Sequence, residues 1–366
     1  MKILFFLENL RSGGVQRRTM RLIGGIQKYA PSDWSFTLLV NFSEGEHFEH
    51  VPEGVHLQVL GDLKGFSLYR SLRSKAVELK PDVVVCCMGR QLLQWLLATC
   101  FVSIRSKVIV IQAVPVMLSA YGKLKNTMRS QLMRWLYPKA SAVVCVSDAV
   151  LATVQKLNAP LAKKAQRIYN PVFDDSMLTL ANAQPQIFGN FIGVNAVAVG
   201  RMNVQKDYGT MLRAAAKVIK TLPQFHLHIL GGGELLQPMQ VLARELGVQD
   251  HVIFHGYVAN PYPYLKQADL FVMSSLWEGL PNSMVEALAL GTKVVSTDCI
   301  AGPNEILAKG EYGQLVNTGD HQAFAQAVLT EIKQVRDLQV LAQRGRYYSV
   351  ENSAKAYIKL AKELMR

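Results

Sequence analysis

Cysteine is scarce: the 366 residues include five, Cys86, Cys87, Cys100, Cys145 and Cys299, and none falls in a CxxC or Cys/His ligand spacing. That excludes a disulfide-stapled scaffold and a zinc module, and leaves buried, reduced thiols in a cytosolic chain as the expectation. Long apolar runs are missing too. The opening MKILFFLENLRSGG has too short an apolar stretch for a signal peptide and ends in Gly-Gly instead of a small-residue cleavage site. The longest apolar run outside strand-like segments, Gln91–Ile104, is bracketed by Arg90 and Arg105. It is shorter than the ~20 residues that span a bilayer and reads as a buried helix. There is no low-complexity tract and no internal repeat.

Acid is lacking in one region. From Val83 to Ser147 there are eight basic residues and no acidic one. Residues 1–170 hold 23 Lys+Arg against 10 Asp+Glu, whereas residues 171–366 hold 17 of each, so the first half carries the whole formal charge of +13. A cationic half favours an anionic partner: a membrane surface, nucleic acid or polyphosphate. No RRM, KH or zinc-finger pattern is present, so nucleic acid is not expected as a partner.

What the sequence has in quantity is alternation. Strand-like apolar runs at Lys2–Leu7, Phe36–Val40, Val55–Val59, Asp82–Cys86, Lys107–Gln112 and Ala142–Val146 are interleaved with helical patterns at Gly14–Tyr29, Leu68–Leu79 and Leu92–Val102. Continuous Val/Ile/Leu runs suit strands buried on both faces, as in a parallel sheet. The pattern lapses over Asn170–Asn190, which reads as a linker. It resumes with strands at Val194–Val199, Phe225–Leu230, Val252–Phe254, Leu270–Met273 and Lys293–Ser296. Helices at Tyr208–Thr221, Glu234–Leu246 and Asn282–Leu290 lie between them, and a last one covers Val350–Arg366. The expected fold is α/β: two Rossmann-like, doubly wound domains facing across a cleft, with boundaries at 1–170, 171–349 and a terminal helix at 350–366.

Several loops at strand carboxyl ends carry chemistry. In LENLRSGGVQRR, Gly13 and Gly14 would let backbone approach a ligand at a helix start, although the spacing is not GxGxxG. In VGRMNVQKDY, Arg201 and Lys206 sit between a strand and a helix, a fork and a point charge suited to a diphosphate. ILGGGE supplies Gly231, Gly232 and Gly233, either a ligand approach or a tight turn, with Glu234 in the first helical turn. SLWEGLPNSMVEALALG places Glu278 in the loop before a helix that Pro281 would open, and Glu286 about one and a half turns inside it. Gly279 and Leu280 lie between, while Leu280, Met284 and Leu288 follow a core period. Asn304 and Glu305 follow a Gly302–Pro303 turn and would line the same cleft or the surface.

The ordered set GGVQRR, IYNPV, VGRMNVQKDY, LHILGGGE, VIFHGYV, ADLFVMSSLWEGLPNSMVEALALGTKVVSTD and GPNEIL resembles the family-4 glycosyltransferases, most strongly over Asn170–Val316. The resemblance implies a GT-B fold, a retaining mechanism and a nucleotide-sugar donor with no metal or other cofactor. It implies that Arg201 and Lys206 bind the donor diphosphate and stabilise the leaving nucleoside diphosphate. Glu278 and Glu286 are the family's Glu-x7-Glu pair, the first near the donor sugar and the second on the ribose hydroxyls. Gly279 and Leu280 N–H groups would help hold the sugar, and Gly256, Tyr257 and Val258 would pass the nucleobase. Gly13 and Gly14 would approach the donor from the first domain, and the final helix would pack back on that domain. Two departures stand out: Gln16 replaces the acid of the family's Gly-Gly-x-Glu, and VIVIQAVPV has Gln112 where many members carry a His. The carboxylates of a retaining glycosidase stand across the bond. This pair lies on one side, so front-side attack aided by a diphosphate oxygen is expected.

The stretch Tyr121–Lys139 interleaves five cations with Leu, Met, Trp and Tyr and reads as a basic amphipathic helix for an anionic membrane interface. The expected acceptor is a polyprenyl-linked or surface-glycan precursor at the cytoplasmic membrane face. A small-molecule acceptor, or a non-catalytic nucleotide-sugar-binding protein, is the alternative.

Overall fold

The computed structural model describes residues 1–366 except Ser12, 46–47, 117–121 and Asn190. Tyr121, which opened the basic amphipathic segment, thus lies outside the described residues, as do Ser12 of the glycine loop and Asn190 at the end of the expected linker. The chain forms two compact units, Met1–Pro171 with Ser349–Arg366, and Val172–Tyr348.

Unit 1 runs β1 (Lys2–Leu7), α1 (Gly14–Tyr29), β2 (Ser35–Val40), β3 (His56–Val59), α2 (Gly65–Leu79), β4 (Val83–Cys86), α3 (Gly89–Thr99) and β5 (Lys107–Gln112). It continues through α4 (Lys123–Leu136), β6 (Ala142–Cys145), α5 (Asp148–Gln155), α6 (Ala159–Lys164) and β7 (Ala165–Arg167). The strands form one parallel sheet in the order β3-β2-β1-β4-β5-β6-β7. Every residue of β4 and β6 is buried, which is why both read as unbroken apolar runs without alternation. The order reverses direction between β1 and β4, and the carboxyl ends of such a pair open the crevice where α/β sheets take ligands.

Unit 2 contains α7 (Ser176–Ala181), β8 (Val194–Val199), α8 (Tyr208–Thr221), β9 (Phe225–Leu230), α9 (Leu236–Glu245), β10 (Val252–Gly256), α10 (Tyr262–Gln267) and β11 (Leu270–Met273). After these come α11 (Asn282–Ala289), β12 (Lys293–Thr297), α12 (Pro303–Ile306), β13 (Gln314–Val316), α13 (His321–Lys333) and α14 (Leu338–Arg346). Its sheet is again parallel, β10-β9-β8-β11-β12-β13, and reverses between β8 and β11. The last helix, α15 (Val350–Met365), belongs to unit 1, where Ser353 Oγ donates to Tyr169 O at 2.7 Å.

The expected linker is not one over its described length beyond Pro171. Segment 172–189 belongs to unit 2, and its backbone is tied to side chains of α10 and the loop before it. Ile187 N donates to Gln267 Oε1 at 2.9 Å, Gln267 Nε2 to Gln184 O at 2.8 Å and Asn260 Nδ2 to Leu180 O at 2.9 Å. Other readings shift. α9 begins at Leu236, so Glu234 precedes the helix instead of standing in its first turn. Cys100 is exposed at the end of α3, whereas the other four cysteines are buried.

Phe188 and Phe191 lie against the ring of His228, with centroids 4.6 and 5.0 Å away. That ring is the centre of a buried polar chain. His228 Nε2 is 3.0 Å from Asn195 Oδ1, His228 Nδ1 is 3.0 Å from His255 Nε2, and Tyr264 OH is 3.4 Å from His255 Nδ1. Asn195 Nδ2 donates to Phe191 O, so Oδ1 accepts. The donors then run one way, from Tyr264 through His255 and His228 to Asn195, with both rings neutral. Burial, then the charges of His255 and His226, lower the His228 pKa to about 3.

Candidate active site

The unit 2 sheet reverses direction between β8 and β11, and the loops that follow these two strands carry the singled-out residues. After β8 come Gly200, Arg201 and a single 3-10 turn, Val204–Lys206; Asp207 then caps α8, its carboxylate accepting from Thr210 N and Oγ1. This cap fixes where the chain turns from Lys206 into the helix. Ser274 Oγ, just beyond β11, donates to Lys206 O and Asp207 O at 2.9 Å each, joining the two loops.

Across that junction Lys206 Nζ meets Glu278 Oε1 at 2.6 Å. Ser275 Oγ donates to the same oxygen at 2.8 Å, and Gln205 Nε2 donates to Glu278 Oε2 at 3.3 Å and to Trp277 O at 2.8 Å. Glu278 is buried, so these donors replace the water it has lost. The burial acts on its neighbours. The Cys299 thiol is pushed up to about 12, by desolvation first and the Glu278 charge second, so it stays protonated and is no nucleophile. Tyr208 is raised for the same two reasons and donates to Gly200 O at 2.9 Å.

The glycine triplet explains how Arg201 is placed. Gly231 has φ 145°, and a Cβ on it would stand 2.0 Å from Gly200 O. Met202 N donates to Gly232 O at 2.8 Å. Of the two readings left open for the triplet, the structure shows the turn: these residues let the loop after β9 support the loop after β8. Arg201 is exposed on that supported loop.

Glu286 lies on α11, buried, with its Oε1 3.5 Å from Tyr262 OH. Pro281 stands at the N-cap and Asn282 is the first helical residue, one position later than the sequence suggested. Gly279 and Leu280 are buried just before that helix start, which has no side-chain cap. Gly256 ends β10, its carbonyl accepting from Gly231 N at 2.6 Å; Tyr257 beyond it is exposed and Val258 half-buried. Gly13 and Gly14 belong to unit 1, at the start of α1, and a Cβ on Gly14 would meet nothing within 4 Å. Asn304 Nδ2 donates to Asp298 Oδ2 at 3.1 Å. In unit 1, Gln112 is buried and accepts from Tyr137 OH at 2.5 Å.

The structure therefore joins Lys206 with Glu278 and sets Glu286 on the helix that follows. Gln205, Ser275 and Ser274 complete this arrangement, and none was singled out from the sequence. Gln205 and Ser275 lie within the segments quoted for Lys206 and Glu278, and Ser274 just before the second, and nothing else in the sequence marks them.

Two family profiles match the chain: Glycosyltransferase Family 4 over residues 12–175 and Glycosyl transferases group 1 over residues 193–334. An uncharacterised glycosyltransferase of Methanocaldococcus jannaschii, MJ1059, is 39% identical over 153 residues, 42% of this chain and 32% of that protein. A Campylobacter jejuni N-acetylgalactosamine-N,N'-diacetylbacillosaminyl-diphospho-undecaprenol 4-alpha-N-acetylgalactosaminyltransferase is 29% identical over 202 residues, 55% of this chain and 53% of that protein. The chain thus spans between a third and about half of the length of these curated relatives. Among solved structures, Anabaena Alr3699/HepE in complex with UDP and glucose aligns over 99% of this chain and 100% of its own, with a TM-score of 0.80 at 17% identity. The consecutive profile matches and the two parallel α/β sheets place the chain in the family 4, group 1 glycosyltransferases, with the GT-B fold.

Proposed function

We propose that this chain transfers a sugar, with retention, from a nucleotide-sugar donor of the UDP class to a lipid-linked glycan acceptor at a membrane face. The observation that carries the reading is the Lys206–Glu278 pair at the β8/β11 switch point, with Arg201 on the supported loop beside it. A cation held by a buried carboxylate is pre-oriented. A diphosphate arriving at the carboxyl ends of β8 and β11 meets Lys206 already oriented, with the exposed Arg201 on the neighbouring loop to complete the clamp. Charge then grows on the leaving diphosphate, where these two cations act electrostatically and no metal is assigned. Ser275 and Gln205 position Glu278, leaving its carboxylate to orient the sugar. Glu286, next to Tyr262, is assigned to the ribose hydroxyls. Attack on the same face as the leaving diphosphate is assigned, because Glu278 and Glu286 are given separate jobs and no carboxylate is assigned across the bond.

The lipid-linked acceptor is supported by the C. jejuni relative, whose name specifies a diphospho-undecaprenol substrate, and by α4. Leu124, Met128, Leu132 and Trp135 form one stripe on that helix and are between 48 and 76% exposed. A helix facing only water has no reason to present such a stripe. Lys125, Arg129 and Arg134 share the helix, and Lys139 Nζ sits 4.6 Å from the Trp135 ring. Unit 1 carries 27 Lys+Arg against 12 Asp+Glu, whereas unit 2 carries 13 against 15. Cations and interfacial apolar groups together suit an anionic bilayer surface.

A thermal-shift panel of UDP, GDP and ADP sugars tests the donor. A concentration-dependent rise in Tm with one nucleotide class is expected. No rise with any of them would remove the assignment.

A further inference from the structure

Unit 1 has a polar arrangement at its own switch point that no role above uses. Arg18, in the second turn of α1, is 3% exposed. Its Nη2 donates to Cys87 O at 3.2 Å, its Nε has no partner, and among the described residues no carboxylate pairs with it. Glu8, just after β1 at the same end of the sheet, is taken by Arg90 at 2.7 Å. The groups that feel the Arg18 charge stay neutral: burial raises the Cys87 thiol and the Tyr357 phenol despite that cation. Arginine does not shed its proton, so a buried guanidinium without a counter-charge is strongly unfavourable.

Cys87 directly precedes Met88, the N-cap of α3. This helix of 11 residues starts without a side-chain cap, so its first N–H groups and the positive end of its dipole lie at the same carboxyl end of β4. Gln91, in that first turn, is 0% exposed, and neither its Nε2 nor its Oε1 has a partner. Buried side-chain amides are almost always paired. Unrelieved donors thus come from two helices that follow the two strands on either side of the reversal, β1 and β4.

We propose that this crevice is a subsite for a phosphate-class oxyanion, held by the Arg18 fork, the Gln91 amide and the first turn of α3. A guanidinium takes two phosphate oxygens at once, and a helix N-terminus adds backbone donors. The anion is the diphosphate of the acceptor; that identity, though not the site itself, rests on the sugar-transfer reading.

The test uses the full chain with Arg201→Ala and Lys206→Ala, which removes the unit 2 cations, and inorganic pyrophosphate as probe. Pyrophosphate is expected to raise Tm in this background. Adding Arg18→Met should abolish the rise while leaving the ligand-free Tm equal or higher, because a frustrated charge is gone. Gln91→Leu should likewise keep ligand-free stability and weaken pyrophosphate. An arginine that merely supports the fold would give the opposite pattern: a lower ligand-free Tm and an unchanged pyrophosphate response, which overturns the proposal. If Arg18→Met does not fold, Arg18→Lys keeps the charge without the fork and should weaken pyrophosphate about tenfold or more; an unchanged Kd overturns it. Geranyl diphosphate and UDP separate the sources. An Arg18-dependent response to the prenyl compound assigns the anion to the acceptor, and one to UDP alone overturns that identity in favour of the donor. A chain that binds pyrophosphate at Arg18 but transfers no sugar would keep this inference and lose the enzymatic reading.

Discussion

Lys206 and Glu278, 72 residues apart in sequence, meet at 2.6 Å where the unit 2 sheet reverses direction, and both are largely withdrawn from water. Removing either partner leaves the other charge poorly solvated. Lys206→Met or Glu278→Leu alone should each lower ligand-free stability by about 1–3 kcal/mol, because an unpaired, largely buried charge remains. The double variant should lose less than the sum. Urea unfolding of the four proteins gives the coupling; strict additivity would mean the pair is solvated and not preorganised.

Helix α11 carries Glu286 and is packed against α14 without clearance. A Cβ on Gly345 would stand 2.1 Å from Ala289 N, backbone that cannot yield by a rotamer change. Gly345→Ala should therefore destabilise by about 1–3 kcal/mol. It should also weaken donor binding, by displacing Glu286. Calorimetry together with donor titration checks both effects.

The histidine chain makes unit 2 acid-sensitive. The His228 pKa falls from the ordinary 6.5 to about 3, and those of His226 and His255 are lowered too, mainly by burial. The unfolded chain binds these protons first, so their contribution is complete above about 6.5 and is lost progressively as pH falls toward 3. Tm should drop across that window. His228→Asn should show a shallower drop with a lower plateau at neutral pH. Superimposable pH profiles would show that the chain titrates elsewhere.

The α4 stripe should bind anionic vesicles. Leu132→Asp with Trp135→Asp removes two exposed apolar groups and adds two like-charged repellents, and should weaken flotation with anionic liposomes about a hundredfold or more, at roughly 1.5 kcal/mol per apolar group. Binding of the unaltered chain should fall with added salt. Equal flotation of the two proteins would assign the stripe to another partner.

Much of this was readable in the sequence because the physics was local. The runs Lys2–Leu7, Val194–Val199 and Leu270–Met273 declared buried parallel strands, and those bounds are the ones observed. Gly14–Tyr29 and Tyr208–Thr221 declared their helices by amphipathic period. What stayed hidden depends on partners distant in sequence. Segment 172–189 reads as a linker because its backbone groups are held by side chains of α10 and the loop before it, some 80 residues on. Gln205 and Ser275 are unremarkable polar residues until the fold brings them to Glu278. Arg18 sits in an ordinary basic run, RRTMR, and only burial without a counter-charge sets it apart from Arg17 and Arg21.

The most direct test is steady-state release of nucleoside diphosphate from the donor identified by thermal shift, in the presence of a prenyl-diphosphate-linked glycan. It compares the unaltered chain with Glu278→Gln and Glu286→Gln. The account predicts that Glu278→Gln lowers kcat by about a hundredfold or more with donor KM nearly unchanged, as for loss of a transition-state contact. It predicts that Glu286→Gln raises donor KM about tenfold with kcat within a few-fold, as for loss of uniform binding. Kinetics like those of the unaltered chain in both variants would contradict it.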